Sequence, residues 1–138
     1  MNKTQTNEIP SLFRLDIQVG NLDEAETFYE ALLGTGGQRH AGARIYFEAG
    51  EVTLQIVDVS HEQVSQPRPL PKALYFEVED LEAVFARASV LTCLSRDSVH
   101  GEPGGEIRVR PWGERSFYAE DPWHNPLCFV ESGTIYGR

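Results

Sequence analysis

Cysteine is scarce in this 138-residue sequence, which contains only Cys93 and Cys128. Two cysteines outside a CxxC spacing are too few for a disulfide framework, so we expect two reduced thiols. Long apolar runs are missing as well, because none approaches the roughly 18 residues that a membrane-spanning helix needs. The N-terminal stretch MNKTQTNEIPS lacks the hydrophobic centre of a signal peptide. The sequence therefore predicts a cytoplasmic protein.

Basic residues are also few, with 12 Lys and Arg against 21 Asp and Glu and a formal net charge of −9 at pH 7. Nucleic acids and anionic membranes are recognised mainly through positive charge, and no Lys/Arg cluster is present, so we expect neither as a partner. A small-molecule ligand fits the composition better. The length is that of one ordinary domain, and we expect residues 1–138 to form it.

The order of apolar and polar residues predicts a strand, a helix and a hairpin in the first half. LFRLDIQV alternates apolar with polar residues, which is typical of a half-buried strand. Asn21 can cap a helix, with Glu24 three residues later, and Gly34 ends its apolar stripe. ARIYFEAGEVTLQIVDV follows as a hairpin that turns at Ala49 and Gly50.

The second half repeats this order. ALYFEVEDLEAVFARASVL predicts a strand and a helix begun by Asp80, and Val78 lies 59 residues after the corresponding Val19. EIRVR, RSFYAED and PLCFVES predict the closing strands. An α+β fold of two βαβββ modules is the simplest account: module one at about 11–60, a proline-rich linker at about 61–71, and module two at about 72–135. We expect helices outside and a curled, polar-lined cup inside.

Strand alternation predicts the lining of this cup. If the apolar strand residues pack against helices, the inward-facing residues are Arg14, Asp16, Gln18, Thr53, Gln55, Val57, Ala73, Tyr75, Glu77, Cys128 and Val130. This mixture of charge, amide and aromatic groups suits a polar organic ligand. Tyr46 and Phe117 are further candidates whose facing depends on strand register. Asp16 beside Arg14 is either a ligand-binding group or half of a structural ion pair.

The doubled pattern with NLDEAETFY, together with PWGERSFYAEDPWHNPLCFVE, resembles the vicinal oxygen chelate superfamily of glyoxalase I, bleomycin-resistance proteins, fosfomycin-resistance enzymes and extradiol dioxygenases. The resemblance spans roughly Leu12 to Glu131. Its D-P-x-x-N turn, placed after PWG, is most similar to the bleomycin-resistance branch. The resemblance implies paired modules and a homodimer. It also implies that Trp112 stacks on a ligand, as the aromatic residue of a similar PWG stretch does in bleomycin-resistance proteins; the alternative is that Trp112 fills a dimer interface.

Metal-dependent members of the superfamily bind metal through His, Glu or Gln on the first and last strands of each module. The matching positions here are Arg14, Gln55, Ala73 and Cys128. A guanidinium has no free lone pair and a methyl group donates nothing, while Gln55 and the soft ligand Cys128 do not make a site by themselves. The histidines fall in predicted turns or linkers without the spacing of paired ligands: His40, His61, His100 and His124. We expect no metal and no other cofactor.

Two classes of function remain. The first is a metal-independent binding protein that sequesters a small molecule, such as an antibiotic or a related aromatic polar compound. The second is a lyase, isomerase or dioxygenase-like enzyme of the same superfamily, with atypical or absent metal ligands, in which Asp16, Glu77 and Tyr75 supply acid–base groups. The candidate ligand-binding residues are Arg14, Asp16, Tyr46, Gln55, Tyr75, Glu77, Trp112 and Phe117.

Overall fold

The computed structural model describes residues 8–63 and 66–138, so part of the predicted linker and of the N-terminal stretch lies outside the described residues. Module one has five elements: β1 (Arg14–Val19), α1 (Leu22–Leu33), β2 (Gln38–His40), β3 (Arg44–Ala49) and β4 (Val52–Asp58). Its strands form a mixed sheet in the order β1-β4-β3-β2, in which β1 runs parallel to β4. The predicted β3–β4 hairpin is confirmed, with its turn at Gly50 and Glu51, one residue later than predicted.

Module two repeats this topology with one addition. Its elements are β5 (Leu74–Val78), α2 (Leu81–Val90), β6 (Ser98–Val99), β7 (Glu102–Pro103), β8 (Arg108–Val109), β9 (Arg115–Glu120) and β10 (Pro126–Glu131). The main sheet has the order β5-β10-β9-β8, while β6 and β7 form a separate two-stranded hairpin that the sequence did not predict. The α+β fold of two βαβββ modules is confirmed. The two four-stranded sheets stay separate and are not closed on one another.

Both helices begin where the sequence predicts. The Asn21 side chain accepts a hydrogen bond of 2.8 Å from the backbone N–H of Glu24, and Asp80 caps α2 in the same way. Gly34 ends α1 in the left-handed region at φ 73°, which glycine adopts without a Cβ penalty. No helix in the described parts of the chain combines the length and apolar character needed to cross a membrane.

One hydrophobic core joins the two modules. The helix-facing residues of the strands alternate as predicted, so Ile17 and Val19 are fully buried while Arg14 and Asp16 on the same strand are exposed. Helices α1 and α2 contact each other across the modules. Burial of each large apolar side chain stabilises the fold by roughly 1.5–3 kcal/mol. The polar faces of both sheets therefore point away from this shared core.

Phe117 belongs to the core and not to the polar lining. Its side chain is 0% exposed, and its ring stacks on Phe129 at 5.3 Å and meets the edge of Phe85 at 5.2 Å. Register decides this outcome, because Phe117 pairs with Phe129, whose side chain faces helix α2. The prediction that Phe117 lines a ligand site is corrected accordingly.

The D-P-x-x-N turn fastens the two modules together. The buried Asp121 carboxylate accepts hydrogen bonds from the Tyr29 hydroxyl of α1 at 2.6 Å and from the Asn125 backbone N–H at 2.8 Å. The Asn125 side chain donates to the Gln18 carbonyl at 3.0 Å and accepts from the Leu70 N–H at 3.0 Å. This motif therefore has a structural role, since it ties module one and the end of the linker to module two.

Two further residues of this turn, Trp123 and His124, have structural roles. His124 occupies the left-handed region at φ 68° within this tight turn. Trp123 packs against Gly20, where an added Cβ would lie 2.8 Å from the indole nitrogen. Glycine is required at position 20 because the indole leaves no room for a side chain.

Candidate functional site

The polar face of module one is built by alternate residues of its three longest strands. The parallel and antiparallel registers place Asp16, Gln55 and Tyr46 side by side across the sheet. Arg14 lies one row away on β1, and Arg44 one row away on β3. We call these five residues the module-one face. Four of them were predicted as ligand-binding residues, and Arg44 was missed because its strand register is not readable from sequence.

Gln55 is held at both ends of its amide. Its Nε2 donates to Asp16 Oδ1 at 2.7 Å, and its Oε1 accepts from Arg44 Nη1 at 3.1 Å. Gln55 is only 6% exposed, and a buried amide without hydrogen-bond partners would destabilise the fold. These two hydrogen bonds supply the partners that the amide needs. The result is a rigid chain of polar side chains across the sheet, from Asp16 through Gln55 to Arg44.

Arg14 lies over aromatic rings and does not form the structural ion pair that the sequence left open. Its guanidinium carbon is 5.5 Å from the centre of the Tyr46 ring and 5.0 Å from that of Phe13. Among the described residues, neither Arg14 nor Arg44 has a carboxylate oxygen within 4.0 Å. The module-one face thus presents two guanidinium charges that no described carboxylate contacts.

His40 also stands on this face, contrary to its predicted place in a turn. It ends β2, and its ring lies 4.2 Å from the centre of the Tyr46 ring. Tyr46 therefore contacts His40 and the Arg14 guanidinium, which fixes the orientation of the phenol.

The polar face of module two borders a cavity of about 480 Å³. Three predicted site residues line it, namely Tyr75, Glu77 and Trp112, and the rest of the lining is Phe76, Glu114, Val130, Ile135, Tyr136 and Arg138. The indole N–H of Trp112 donates to Glu114 Oε1 at 2.8 Å. Tyr75 is 62% exposed, so its ring is available to a ligand. We call this the module-two cavity.

Buried polar residues support the loop that carries Trp112. Arg110 is 2% exposed and donates to three backbone carbonyls, those of Gly104, Glu106 and Ser116, and to the Ser116 hydroxyl at 3.0 Å. Backbone oxygens thus take the place of a counter-ion, and they bind the segment before β9 to that strand. Nothing in the local sequence distinguishes Arg110 from its exposed neighbour Arg108, so sequence reasoning missed it.

Two titratable groups lie beneath the module-two face. Burial raises the pKa of the Cys128 thiol to about 11. Burial also raises the pKa of Tyr118 above its usual range, and a hydrogen bond with Tyr75 adds to the shift. Both groups stay protonated at neutral pH, so neither supplies a nucleophile or a general base there.

The residues at the family's metal positions do not fit a divalent cation. Gln55 has both amide atoms engaged, Cys128 offers a single soft thiol on the other sheet, and Arg14 brings positive charge to the first strand. In the described parts of the chain, no three His, Cys, Asp or Glu side chains converge as a metal-binding group would. No step of chemistry is therefore assigned to a metal.

The predicted site residues divide between two surfaces. Arg14, Asp16, Tyr46 and Gln55 lie on the module-one face, whereas Tyr75, Glu77 and Trp112 border the module-two cavity, to whose lining no described residue of module one contributes. Phe117 lies on neither surface, because it is in the core. An apolar groove of about 630 Å³ runs between the modules, and its lining includes Leu12, Leu15, Leu54, Leu74, Tyr75 and Phe76. Leu12 and the adjacent Phe13 are largely exposed.

Comparison with solved structures supports the fold. An oxidase named ChaP-H1 has 22% identity and a TM-score of 0.74, over 94% of this chain and 100% of its own. Lactoylglutathione lyase from Agrobacterium tumefaciens has 19% identity and a TM-score of 0.64, and the match covers 93% of this chain and 97% of that protein. A glyoxalase/bleomycin resistance protein from Albidiferax ferrireducens T118 has 22% identity and a TM-score of 0.67, and the match covers 87% of this chain and 98% of that protein. At these identities the likeness shows the fold alone.

Sequence comparison gives the family. No curated protein matches the chain significantly. Similarity to the bleomycin-resistance branch in particular stays a prediction. Residues 11–129 match the family model described as Glyoxalase/Bleomycin resistance protein/Dioxygenase superfamily, which covers most of the chain. The chain therefore belongs to the glyoxalase/bleomycin resistance protein/dioxygenase superfamily.

Proposed function

We propose that this protein binds a planar or aromatic organic molecule with polar groups, and that it does so without a metal ion. One observation carries the proposal: the Gln55 amide, at a position where metal-dependent relatives place a ligand, is bonded by Asp16 and Arg44 at 2.7 and 3.1 Å. The Nε2 group has no lone pair to offer, and the Oε1 atom accepts from a guanidinium whose positive charge opposes a cation beside it. An antibiotic or a related aromatic compound is the class of ligand that we propose to be sequestered.

The charge of the module-one face supports an anionic or carbonyl group on the ligand. The Arg14 guanidinium lies over two aromatic rings and forms no ion pair among the described residues. A ligand oxygen can accept from this guanidinium in a charge-assisted hydrogen bond. Arg44 adds a second guanidinium charge on the same face.

Trp112 supplies the stacking surface in this proposal. It borders the module-two cavity together with Tyr75, and an indole stack adds about 0.5–1.5 kcal/mol beyond the burial of area. The hydrogen bond from its indole N–H to Glu114 fixes the ring plane in advance. A fixed ring loses less conformational entropy on binding, which favours affinity.

We infer that a homodimer completes the site, because the module-one face and the module-two cavity lie on separate sheets of one chain. A second copy can bring its module-two cavity against the module-one face. The exposed apolar residues beside the inter-module groove supply area for such an interface. Trp112 would then border both the ligand and the interface.

Binding is favoured over catalysis by the state of the acid–base candidates. Asp16 accepts from Gln55, and Glu77 accepts from Ser132 at 2.9 Å and forms an ion pair with Arg138. The Arg138 hydrogen bond, followed by that of Ser132, lowers the pKa of the Glu77 carboxyl, which weakens it as a general base. These groups also lie on two different sheets, so one substrate atom in a single chain would not meet both.

Titration with matched ligands tests the proposal. Tryptophan fluorescence is followed while benzoate or its neutral counterpart benzamide is added to the wild type, Arg14→Met, Trp112→Ala and the control Arg108→Met, which removes an exposed guanidinium elsewhere. We expect Arg14→Met to abolish the preference for benzoate and Trp112→Ala to weaken binding about tenfold, the upper end for one aromatic contact. Equal binding to all four proteins would show that the site is misplaced.

A further inference from the structure

The module-two cavity combines aromatic rings with carboxylates. Tyr75, Trp112 and Tyr136 contribute rings, and Glu77 and Glu114 contribute the acidic groups. Both carboxylates are held in place: Glu77 accepts from the Ser132 hydroxyl at 2.9 Å, and Glu114 accepts from the Trp112 indole at 2.8 Å and from the Tyr136 N–H at 2.9 Å. The negative groups are therefore arranged before any ligand arrives.

The chain places one of its own organic cations in this cavity. Arg138 lines it, and the Arg138 guanidinium forms an ion pair with Glu77. Among the described residues, the lining holds two carboxylates, which carry two negative charges, and one cation, Arg138. The lining thus keeps a net negative charge beside rings whose faces also attract cations.

We propose that the module-two cavity binds the cationic group of an organic ligand, an alkylammonium or guanidinium, and that Arg138 is an intramolecular competitor for it. The proposal rests on the proposed function and extends it, because it gives the ligand a positive group at this end and an oxygen group at the module-one face. A compact cation would displace the Arg138 guanidinium, contact the Trp112 and Tyr75 rings, and be neutralised by Glu77 and Glu114.

Choline and 3,3-dimethylbutan-1-ol are a suitable pair of probes, since they have nearly the same shape and differ in charge. NMR of the full chain follows the two indole N–H signals, that of Trp112 in the cavity and that of Trp123, which packs on Gly20. We expect choline to shift the Trp112 signal in a saturable way and to leave Trp123 unchanged. The neutral alcohol should shift neither signal at the same concentrations.

The variants separate a cation site from a general surface effect. Glu77→Gln and Glu114→Gln should each weaken choline binding, whereas Arg138→Gln should tighten it about two- to fivefold, the range expected when one exposed ion pair no longer competes. Arg108→Gln is the matched control, because its ion pair with Glu106 lies outside the cavity lining. Its choline affinity should equal that of the wild type.

Two results would overturn the cation site: equal responses to choline and the alcohol, or an Arg138→Gln variant that binds choline no better than the wild type. These outcomes are distinguishable from failure of the proposed function. If benzoate binding depends on Arg14 while choline fails, the cation site is wrong and the proposed function stands. If choline behaves as expected while Arg14→Met leaves the binding of benzoate and benzamide unchanged, the cation site is supported. The proposed contact between a ligand oxygen group and Arg14 is then wrong.

Discussion

The hydrogen bond between Tyr29 and Asp121 gives a sharp test of how the two modules are joined. Its length is 2.6 Å, and both residues are buried, at 0% and 3% exposure. Burial first, and the Asp121 charge second, raise the pKa of the Tyr29 phenol well above its usual value, so the hydroxyl keeps its proton and donates. Tyr29→Phe removes this donor and little else.

The expected loss follows from the partners that remain. A hydrogen bond to a charged group contributes about 1.5–3 kcal/mol, and Asp121 keeps the backbone N–H donors of Trp123 and Asn125 after the substitution. The phenyl ring retains its packing against Phe28, 5.1 Å away, so a large cavity term is not expected. We therefore expect the free energy of unfolding to fall by about 2 kcal/mol.

Urea unfolding measures this difference through the transition midpoint at an unchanged m-value. Tyr136→Phe is the matched control, because Tyr136 is 72% exposed and its hydroxyl makes no hydrogen bond within the described residues. The variant Asp121→Asn, combined with Tyr29→Phe in a double-mutant cycle, isolates the coupling between the two groups. A loss below 0.5 kcal/mol for Tyr29→Phe, or one equal to that of Tyr136→Phe, would refute the fastening role.

Three further predictions concern the whole chain. Elemental analysis after purification without chelator should find no stoichiometric Zn, Ni, Mn or Fe; about one metal per chain, lost in Gln55→Ala or Cys128→Ala, would contradict this. Light scattering should give about twice the chain mass of 15.5 kDa, and a monomer at micromolar concentration would count against the dimer. Cys93 and Cys128 should react slowly with a disulfide reagent at pH 8, because burial raises both pKa values to about 11 and leaves roughly one thiol in a thousand ionised. Unfolding the protein in guanidinium chloride should make both thiols react fast. If the thiols of the folded protein react equally fast, they are not buried.

The sequence by itself determined the elements and the facing of most strand residues. Alternation in LFRLDIQV placed Arg14 and Asp16 opposite the buried Ile17, and the caps Asn21 and Asp80 begin the two helices as predicted. These features are local, because side-chain alternation and capping depend on residues within a few positions of one another. For the same reason the βαβββ repeat was readable without any contact between distant residues.

Only the tertiary structure decided which side chains meet. Gln55 bonds to Asp16 from 39 residues away, and Tyr29 to Asp121 from 92, distances over which a single sequence carries no pairing information. Phe117 faced the core because of its register with Phe129, which depends on how two strands slide past each other. The net charge indicated a small-molecule partner, but it gave no information on where a ligand would bind. The module-one face and the module-two cavity are separate because the two sheets are open and not closed on one another. Packing both helices into one core turns the polar faces of the sheets outward.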